Sequence, residues 1–451
     1  MTTTPATDDR RRNRRALLGI GIGHALEWYD WGIYVIFVPF FAAQFFSATD
    51  RISVTLSGLA VFAVGFIARP VGGLLVGRLS DRIGRRPMMT LTVGGMAAAS
   101  LIIGVSPGYA TIGTAASVVL VIARVVQGLA TGGELPSAQT YLAEAAPASR
   151  RGLWSSLIYI ASVGGNTVGV LLGLVLSLTL SETQMASWGW RVPFIIGGVF
   201  GLVALWIRRS LQETEAFVRE AANHPDSPRP RLWPEITRHR KQAAQVIGLS
   251  VGFTVAYYSW VVAAPAYAIS VLKINPTAAL LAGVLASLVL IAVLPAWGAL
   301  SDRIGRRPVL LISCLGTAAL LFPLQAMIRD SAIRLGLAMA VVMVFIGAGV
   351  AVLPAVYAEM FPTRIRTVGL AVPYSIAVAA FGGTAPYLQI RLGETLGPSA
   401  YNGYVVLLLV ISAATALSLR DGRGIDLATP RPGTPVKEKE GHDGEIARPG
   451  R

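Results

Sequence analysis

Long apolar blocks separated by short polar stretches dominate the chain, and no finer stripe organises it over its whole length. A block of about 20 apolar residues is what an α-helix needs to cross the ~30 Å hydrocarbon core of a bilayer. Twelve such blocks can be drawn, at roughly 17–44, 53–78, 87–106, 112–140, 152–180, 190–209, 243–270, 278–300, 307–328, 333–356, 366–390 and 400–419. Several exceed the minimum length, which predicts tilt or extension into the interfaces. The short alternating segments of a transmembrane barrel are not seen. The pattern predicts an all-α membrane protein of twelve transmembrane helices.

Polar stretches divide these spans. Residues 211–242 contain Pro and many charges, and separate two groups of six spans. The expected organisation is a basic N-terminus (1–16), a six-helix bundle (17–210), a linker (211–242), a second six-helix bundle (243–420) and a disordered tail (421–451) rich in Gly, Pro and charge. Arginines 10, 11, 12, 14 and 15 precede the first apolar run, as in a signal peptide. That run is interrupted by GHALEWYDWGIY and has no clear small-residue cleavage site, so it reads as a retained first membrane helix.

Composition agrees: 53% of residues are hydrophobic and 14% charged, against about a quarter charged in soluble chains. The net charge of +15 would suggest nucleic acid in a soluble protein. Here the basic residues cluster on one side. Loops after even-numbered spans carry Arg78, Arg82, Arg85 and Arg86, then Arg150 and Arg151, Arg208 and Arg209, Arg303, Arg306 and Arg307, and Arg364 and Arg366. The other side has Arg51, Lys273, Arg329, Arg334 and Arg391. The positive-inside rule puts both termini in the cytoplasm, and no nucleic-acid partner is expected. The single cysteine, Cys314, lies in an apolar span and reads as a packing residue.

The two halves repeat. GRLSDRIGRRPMM at 77–89 matches GALSDRIGRRPVL at 298–310, and LAEAAPASRRGL at 142–153 is echoed by YAEMFPTRIRTVGL at 357–370. Parallel repeats of this kind mark transporters whose halves rock about a midplane site.

The first repeat resembles the major facilitator signature G-x-x-x-D-R-x-G-R-R. Gly77, Asp81, Arg82, Gly84, Arg85 and Arg86 fit it, and Gly298, Asp302, Arg303, Gly305, Arg306 and Arg307 fit its second copy. A short hairpin needs the second glycine to turn, and the aspartate can cap a neighbouring helix N-terminus. The arginines can pair with acids such as Glu144, with Glu359 at the matching place in the second half. The resemblance implies a cytoplasmic latch; topology determination by positive charge is the plainer alternative. EWYDWGIY, ARPVGG, RVVQGLATGGE, WGWRVPF, RRSLQET and AEMFPTRIR together resemble the metabolite:proton symporter family, with its α-ketoglutarate, shikimate, citrate and proline/betaine permeases. This implies a multi-pass protein of the bacterial inner membrane, monomeric, whose partners are a small organic acid, protons and the lipid bilayer.

Charged groups inside membrane helices are costly and are functional candidates by default. Glu27 and Asp30 lie three apart on one face, with Tyr34 one turn on and His24 nearby. Asp30 is the expected proton site and Arg124 its partner, with Glu27 and Glu134 as further coupling candidates. A static Asp30–Arg124 pair that pins two helices is the alternative. Arg69 stands about 13 Å into the membrane from the span-two loop, too deep to snorkel easily. It is expected to bind an anionic substrate group; a structural bond to Glu27 is the competing reading. Gln127, Tyr34, Tyr257, Tyr258, Trp260 and Tyr374 are further substrate candidates, against ordinary packing. Arg191 beside Trp188 and Trp190 reads equally as a ligand residue or an interface anchor.

Neither a catalytic constellation nor metal-ligand spacing is present in the sequence, and there is no GxxxxGK[ST] phosphate loop. A non-enzyme without cofactors, driven by the proton gradient, is expected. The function expected is symport of a small carboxylate, a dicarboxylate or keto acid such as α-ketoglutarate. The alternatives are a proline/betaine-type zwitterion symporter or a proton-driven exporter. Export is disfavoured because span five reads SVGGNTVGVLLG, without the proline that superfamily exporters usually carry there.

Overall fold

The computed structural model describes residues 5–47, 50–83, 85–132, 134–210, 237–328, 331–362 and 365–420, together with 422, 424, 425 and 427. Side chains of 5–20, 77–78, 80–83, 85–86, 89, 134–138, 204, 206–210 and 368 are outside that description.

The N-terminal half contains α1 (Pro5–Phe45), α2 (Arg51–Ile83), α3 (Arg85–Val105), α4 (Thr114–Thr131, resuming at Glu134–Ala145), α5 (Arg151–Thr179) and α6 (Arg191–Ser210). The C-terminal half contains α7 (Arg240–Tyr257, then Ala264–Ser270), α8 (Pro276–Ile304), α9 (Arg306–Ile328), α10 (Ala332–Met360), α11 (Arg366–Ala377, then Ala385–Leu396) and α12 (Pro398–Leu417). Nine of these are long and apolar enough among the described residues to cross a membrane. The other three are α1, α3 and α11. In α1 the basic start and the cluster His24, Glu27 and Asp30 lower the hydropathy, and α11 is interrupted.

Local chemistry sets several boundaries. Asp50 accepts from the amides of Ile52 (2.9 Å) and Ser53 (2.8 Å), starting α2 two residues earlier than the apolar pattern suggests. Asn275 and Ser331 cap α8 and α10 in the same way. At Tyr258–Val262 and Val378–Gly382 the helices α7 and α11 widen into π turns. Each is followed by a proline, Pro265 or Pro386, which cannot donate to the carbonyl four residues back. At α7 that carbonyl, Val261 O, accepts instead from Asn166 Nδ2 of α5 at 3.2 Å. A backbone defect of one half is thus satisfied by a side chain of the other.

Close approach within the N-terminal half depends on missing side chains. A Cβ on Gly165 would run into the Ala25 carbonyl of α1, and one on Gly132 into the Arg69 carbonyl of α2. Gly164, by contrast, has nothing within 4 Å of its Cβ position. The halves meet along α5 against α8 and α10, α2 against α11, and α1 against α7. Helices α3 and α6 pack together on the outside of one half, α9 and α12 on the outside of the other. They expose Ile102, Val199, Phe200, Leu315, Phe322 and Leu407, an apolar exterior suited to lipid.

Candidate functional site

Two clusters join the halves: a central cage and a clasp at the end carrying both termini.

In the cage, α1 supplies most of the chemistry. Glu27 is buried, with Oε1 3.6 Å from Arg69 Nη2 and Oε2 3.6 Å from His24 Nδ1. Both contacts are longer than a good charged hydrogen bond. His24 Nε2 is 2.8 Å from Ser162 Oγ on α5. The Arg69 guanidinium lies over the faces of Trp31 (4.1 Å) and Phe66 (4.2 Å), and its Nε has no hydrogen-bond partner among the described residues. The contact with Glu27 that competed with substrate binding in the sequence reading is therefore present, though loose.

The C-terminal half answers with aromatic rings. Trp28 meets the edge of Tyr257 at 5.3 Å and stacks on Tyr258 at 5.8 Å. Tyr258 also contacts Phe66. Tyr159 of α5 stands 6.0 Å from Tyr257. Tyr374 packs on Tyr357, whose hydroxyl is 2.7 Å from Ser250 Oγ. Trp260 does not join them. It lines a separate small cavity inside the C-terminal half with Tyr267, Tyr401 and Asn402.

Asp30 is held differently from the expectation. Its carboxylate accepts from Ser100 Oγ and from Gln127 Nε2 (2.6 Å), and Gln127 Nε2 also reaches Ser100 Oγ at 2.8 Å. No Asp30–Arg124 bond is formed. Arg124 is fully buried over the Tyr34 ring at 3.7 Å, and none of its three guanidinium nitrogens has a hydrogen-bond partner among the described residues. The direct pair is corrected to a triad of Asp30, Ser100 and Gln127 beside a cation held on an aromatic face. Gln127 thus gives its Nε2 to the carboxylate, while its Oε1 has no hydrogen-bond partner among the described residues. The Tyr34 hydroxyl donates to Gly58 O at 2.9 Å. Arg191 donates to Gly104 O (3.1 Å) and Ser106 O (2.6 Å) and lies over Trp190. It anchors the far end of α6 and does not approach the cage.

At the clasp, Arg151 at the start of α5 pairs with Glu359 of α10 at 3.1 Å, and Arg366 at the start of α11 pairs with Glu144 of α4 at 2.5 Å. Glu144 and Arg151 occupy the positions of Glu359 and Arg366 in the repeat, so each half's arginine reaches the other half's acid. The symmetry extends to the backbone: Arg151 Nε donates to Ala143 O and Arg366 Nε to Ala358 O. The segment after α12 bridges both, with Ile425 O accepting from Arg151 Nη2 at 2.9 Å and Leu427 O from Arg366 Nη2 at 3.3 Å. Glu359 also accepts from Arg306 (3.1 Å), which bonds Asp302 at 2.8 Å.

Asp302 accepts from the amides of Gly152 (2.8 Å) and Leu153 (3.0 Å), capping α5 of the opposite half. Gly305, at φ +99°, makes the sharp α8–α9 turn. Gly298 passes so close to α5 that a Cβ would stand 2.6 Å from Gly152 O. Arg303 is exposed and Arg307 half-buried, and neither belongs to the crossed pairs. Glu144 pairs with Arg366 of the other half; the pairing with first-hairpin arginines expected from the sequence falls on side chains outside the described residues. Gly84 and the side chains of Asp81, Arg82, Arg85, Arg86 and Glu134 lie outside the described residues, as does any side-chain detail at Gly77.

Sequence reasoning missed Ser100, Trp28 and Tyr159, and used Arg151 and Arg366 only as topology charges. For the two arginines the signal was available: the repeat aligns Arg151 with Arg366 at the same spacing as it aligns Glu144 with Glu359. For Ser100 no pattern in a single chain pointed to it.

Comparison with known proteins agrees with this architecture. The family profile described as Major Facilitator Superfamily matches residues 20–294 and 249–446. The α-ketoglutarate permease of Escherichia coli is 34% identical over 427 residues, 93% of this chain and 97% of its own. The proline/betaine transporter of Salmonella typhimurium is 32% identical, covering 94% of this chain and 87% of its own. Among solved structures, a D-xylose–proton symporter superposes with a TM-score of 0.69 at 18% identity, covering 91% of this chain and 98% of that one. A partially occluded inward-open xylose transporter from E. coli gives 0.65 at 19%, with 89% and 95% covered. The chain is a multi-pass membrane transporter and belongs to the major facilitator superfamily, in its metabolite:proton symporter family.

Proposed function

We propose that the chain is a proton-coupled symporter importing a small carboxylate, a dicarboxylate or keto acid such as α-ketoglutarate, by alternating access, with its termini in the cytoplasm. The observation that carries this reading is Arg69. Its guanidinium is desolvated between two rings, bound to Glu27 only at 3.6 Å, and adjacent to the tyrosines of the opposite half. A substrate carboxylate offers the bidentate geometry that Glu27 does not use, and Tyr258 and Tyr374 stand ready to close over it.

Asp30 is the proposed proton carrier. While it is protonated, its O–H can donate to Ser100 Oγ while Gln127 Nε2 donates to its other oxygen, and Arg124 rests on Tyr34. Loss of the proton leaves a carboxylate beside an unpartnered cation, and the two attract strongly in a low-dielectric interior. Release of substrate to the cytoplasm requires the clasp to part. No cofactor is used; the proton gradient supplies the work.

A second reading has its own support. Glu27 and Arg69 form a neutral pair flanked by Trp28 and Tyr258. A zwitterion could place its carboxylate on Arg69 and its cation against Glu27 and the rings, and relatives of this chain include proline/betaine transporters.

The two are separated by uptake into proteoliposomes under an imposed inward proton gradient. Accumulation of α-ketoglutarate or a similar acid, with no uptake of betaine or proline, supports the first reading. Accumulation of betaine or proline alone replaces it with the second.

A further inference from the structure

We propose that protons reach Asp30 through a crevice inside the N-terminal half, between α1, α3 and α6, and not along the cross-half path of the substrate. The inference rests on the symport reading above and concerns where its proton travels.

The geometry of α1 separates the two routes. Trp28 faces the aromatic rings of α7 across the interface. Asp30 follows two residues later, about 200° around the helix, so its carboxyl turns away from that interface. It points towards α3 and α4, where Ser100 and Gln127 hold it. Beside it lies a cavity of about 50 Å³ lined by Gly23, Glu27, Asp30, Met96, Ser100 and Gly197, among others. A single water needs roughly 10–15 Å³ on this measure, and two to four polar partners. Glu27, Asp30 and Ser100 supply those partners at the inner wall.

The crevice exists because its walls are small. Gly23 on α1 and Gly197 on α6 leave space a larger side chain would fill, and Gly201 lets α6 pack directly on Ala97 of α3. It runs from Asp30, Ser100 and Gly197 towards Gly23, Val93 and Gly201, that is, towards the end carrying the termini, which the crossed arginines close between the halves. The charged and polar groups around the carboxyl are Glu27 and Tyr29 on its own helix, Ser100 on α3, and Arg124 and Gln127 on α4; α6 contributes Gly197 and the Pro193 carbonyl that holds Tyr29 among the described residues. This path therefore reaches Asp30 without passing between the halves, where the clasp lies.

Gly197 provides the test. A Cβ there would stand 3.4 Å from Asp30 Oδ1 and 3.1 Å from Tyr29 Cε1. Gly197→Val therefore fills the inner end of the crevice against Asp30 without replacing any titratable side chain. In proteoliposomes it is expected to lose accumulation driven by a pH gradient while retaining substrate exchange at equal pH, which needs no net proton movement. Full accumulation by Gly197→Val overturns the proposal.

If that variant loses exchange as well, labelling decides. In a Cys314→Ser background, Met96→Cys is expected to react with a charged, water-soluble thiosulfonate, whereas Ile102→Cys, on the apolar exterior of α3, is not. Failure of Met96→Cys to react overturns the proposal. A wild-type protein indifferent to the pH gradient sinks the symport reading itself, an outcome distinct from either result with Gly197→Val.

Discussion

The cage and the clasp use the two halves in opposite ways. At the centre, the buried charged groups, Glu27, Asp30, Arg69 and Arg124, all belong to the N-terminal half, and the C-terminal half contributes Tyr257, Tyr258 and Tyr374. At the clasp both halves contribute the same groups, exchanged crosswise: Arg151 to Glu359 and Arg366 to Glu144. The repeat thus persists at the clasp, where the same groups cross between the halves, and has diverged at the cage, where one half holds the charges and the other covers them with rings.

The largest effect is expected at the charged half of the cage. Asp30→Asn should abolish accumulation against a gradient, to the level of protein-free liposomes, because the amide cannot carry a proton. Retention of concentrative uptake would remove Asp30 from coupling and erase the functional difference between the halves.

The clasp is symmetric in partners and unequal in burial. The Glu359 side chain is 4% exposed and serves Arg151 and Arg306, whereas that of Glu144 is 38% exposed and serves Arg366. Removing one partner of a buried pair costs about 3–5 kcal/mol, and an exposed pair is worth about 0–1 kcal/mol. Glu359→Gln should therefore open the termini side strongly and Glu144→Gln only slightly. Interspin distances between labels at Ser149 and Arg303 would read this; equal responses would contradict the burial argument.

A smaller loss is expected for ligand binding. Arg69→Ala removes a charge-assisted contact worth about 2 kcal/mol, roughly thirtyfold in substrate affinity. Tyr258→Phe, which keeps the ring against Trp28, should change affinity little. Unchanged binding by Arg69→Ala would end the proposed role of this residue.

The smallest effect is expected at the strap. Ending the chain after Leu419 removes the carbonyls that Arg151 and Arg366 hold through Ile425 and Leu427. Two hydrogen bonds of about 1 kcal/mol each should shift the Ser149–Arg303 distances less than Glu359→Gln does.

The twelve spans were legible because bilayer thickness imposes a length on every helix, and the clasp acids because the repeat prints them twice. The places where reading failed have physical causes. Val261 and Pro265 interrupt α7, and nothing local announces that Asn166 of another helix repairs the break. Asp30 and Arg124 look like a pair because opposite charges within one bundle attract. Ser100 and Gln127 satisfy the carboxyl first, through contacts between three helices that no periodicity encodes. For Arg191 the sequence left ligand residue and interface anchor equally open, because its charge was visible and the carbonyls of Gly104 and Ser106 that hold it were not.

The central claim is that the N-terminal half carries the proton at Asp30. Its most direct test is paired transport by wild type and Asp30→Asn in the same proteoliposomes, with an imposed pH gradient and then with exchange at equal pH. The account predicts that Asp30→Asn exchanges substrate but does not concentrate it. Concentration of substrate by Asp30→Asn at the wild-type level would contradict it.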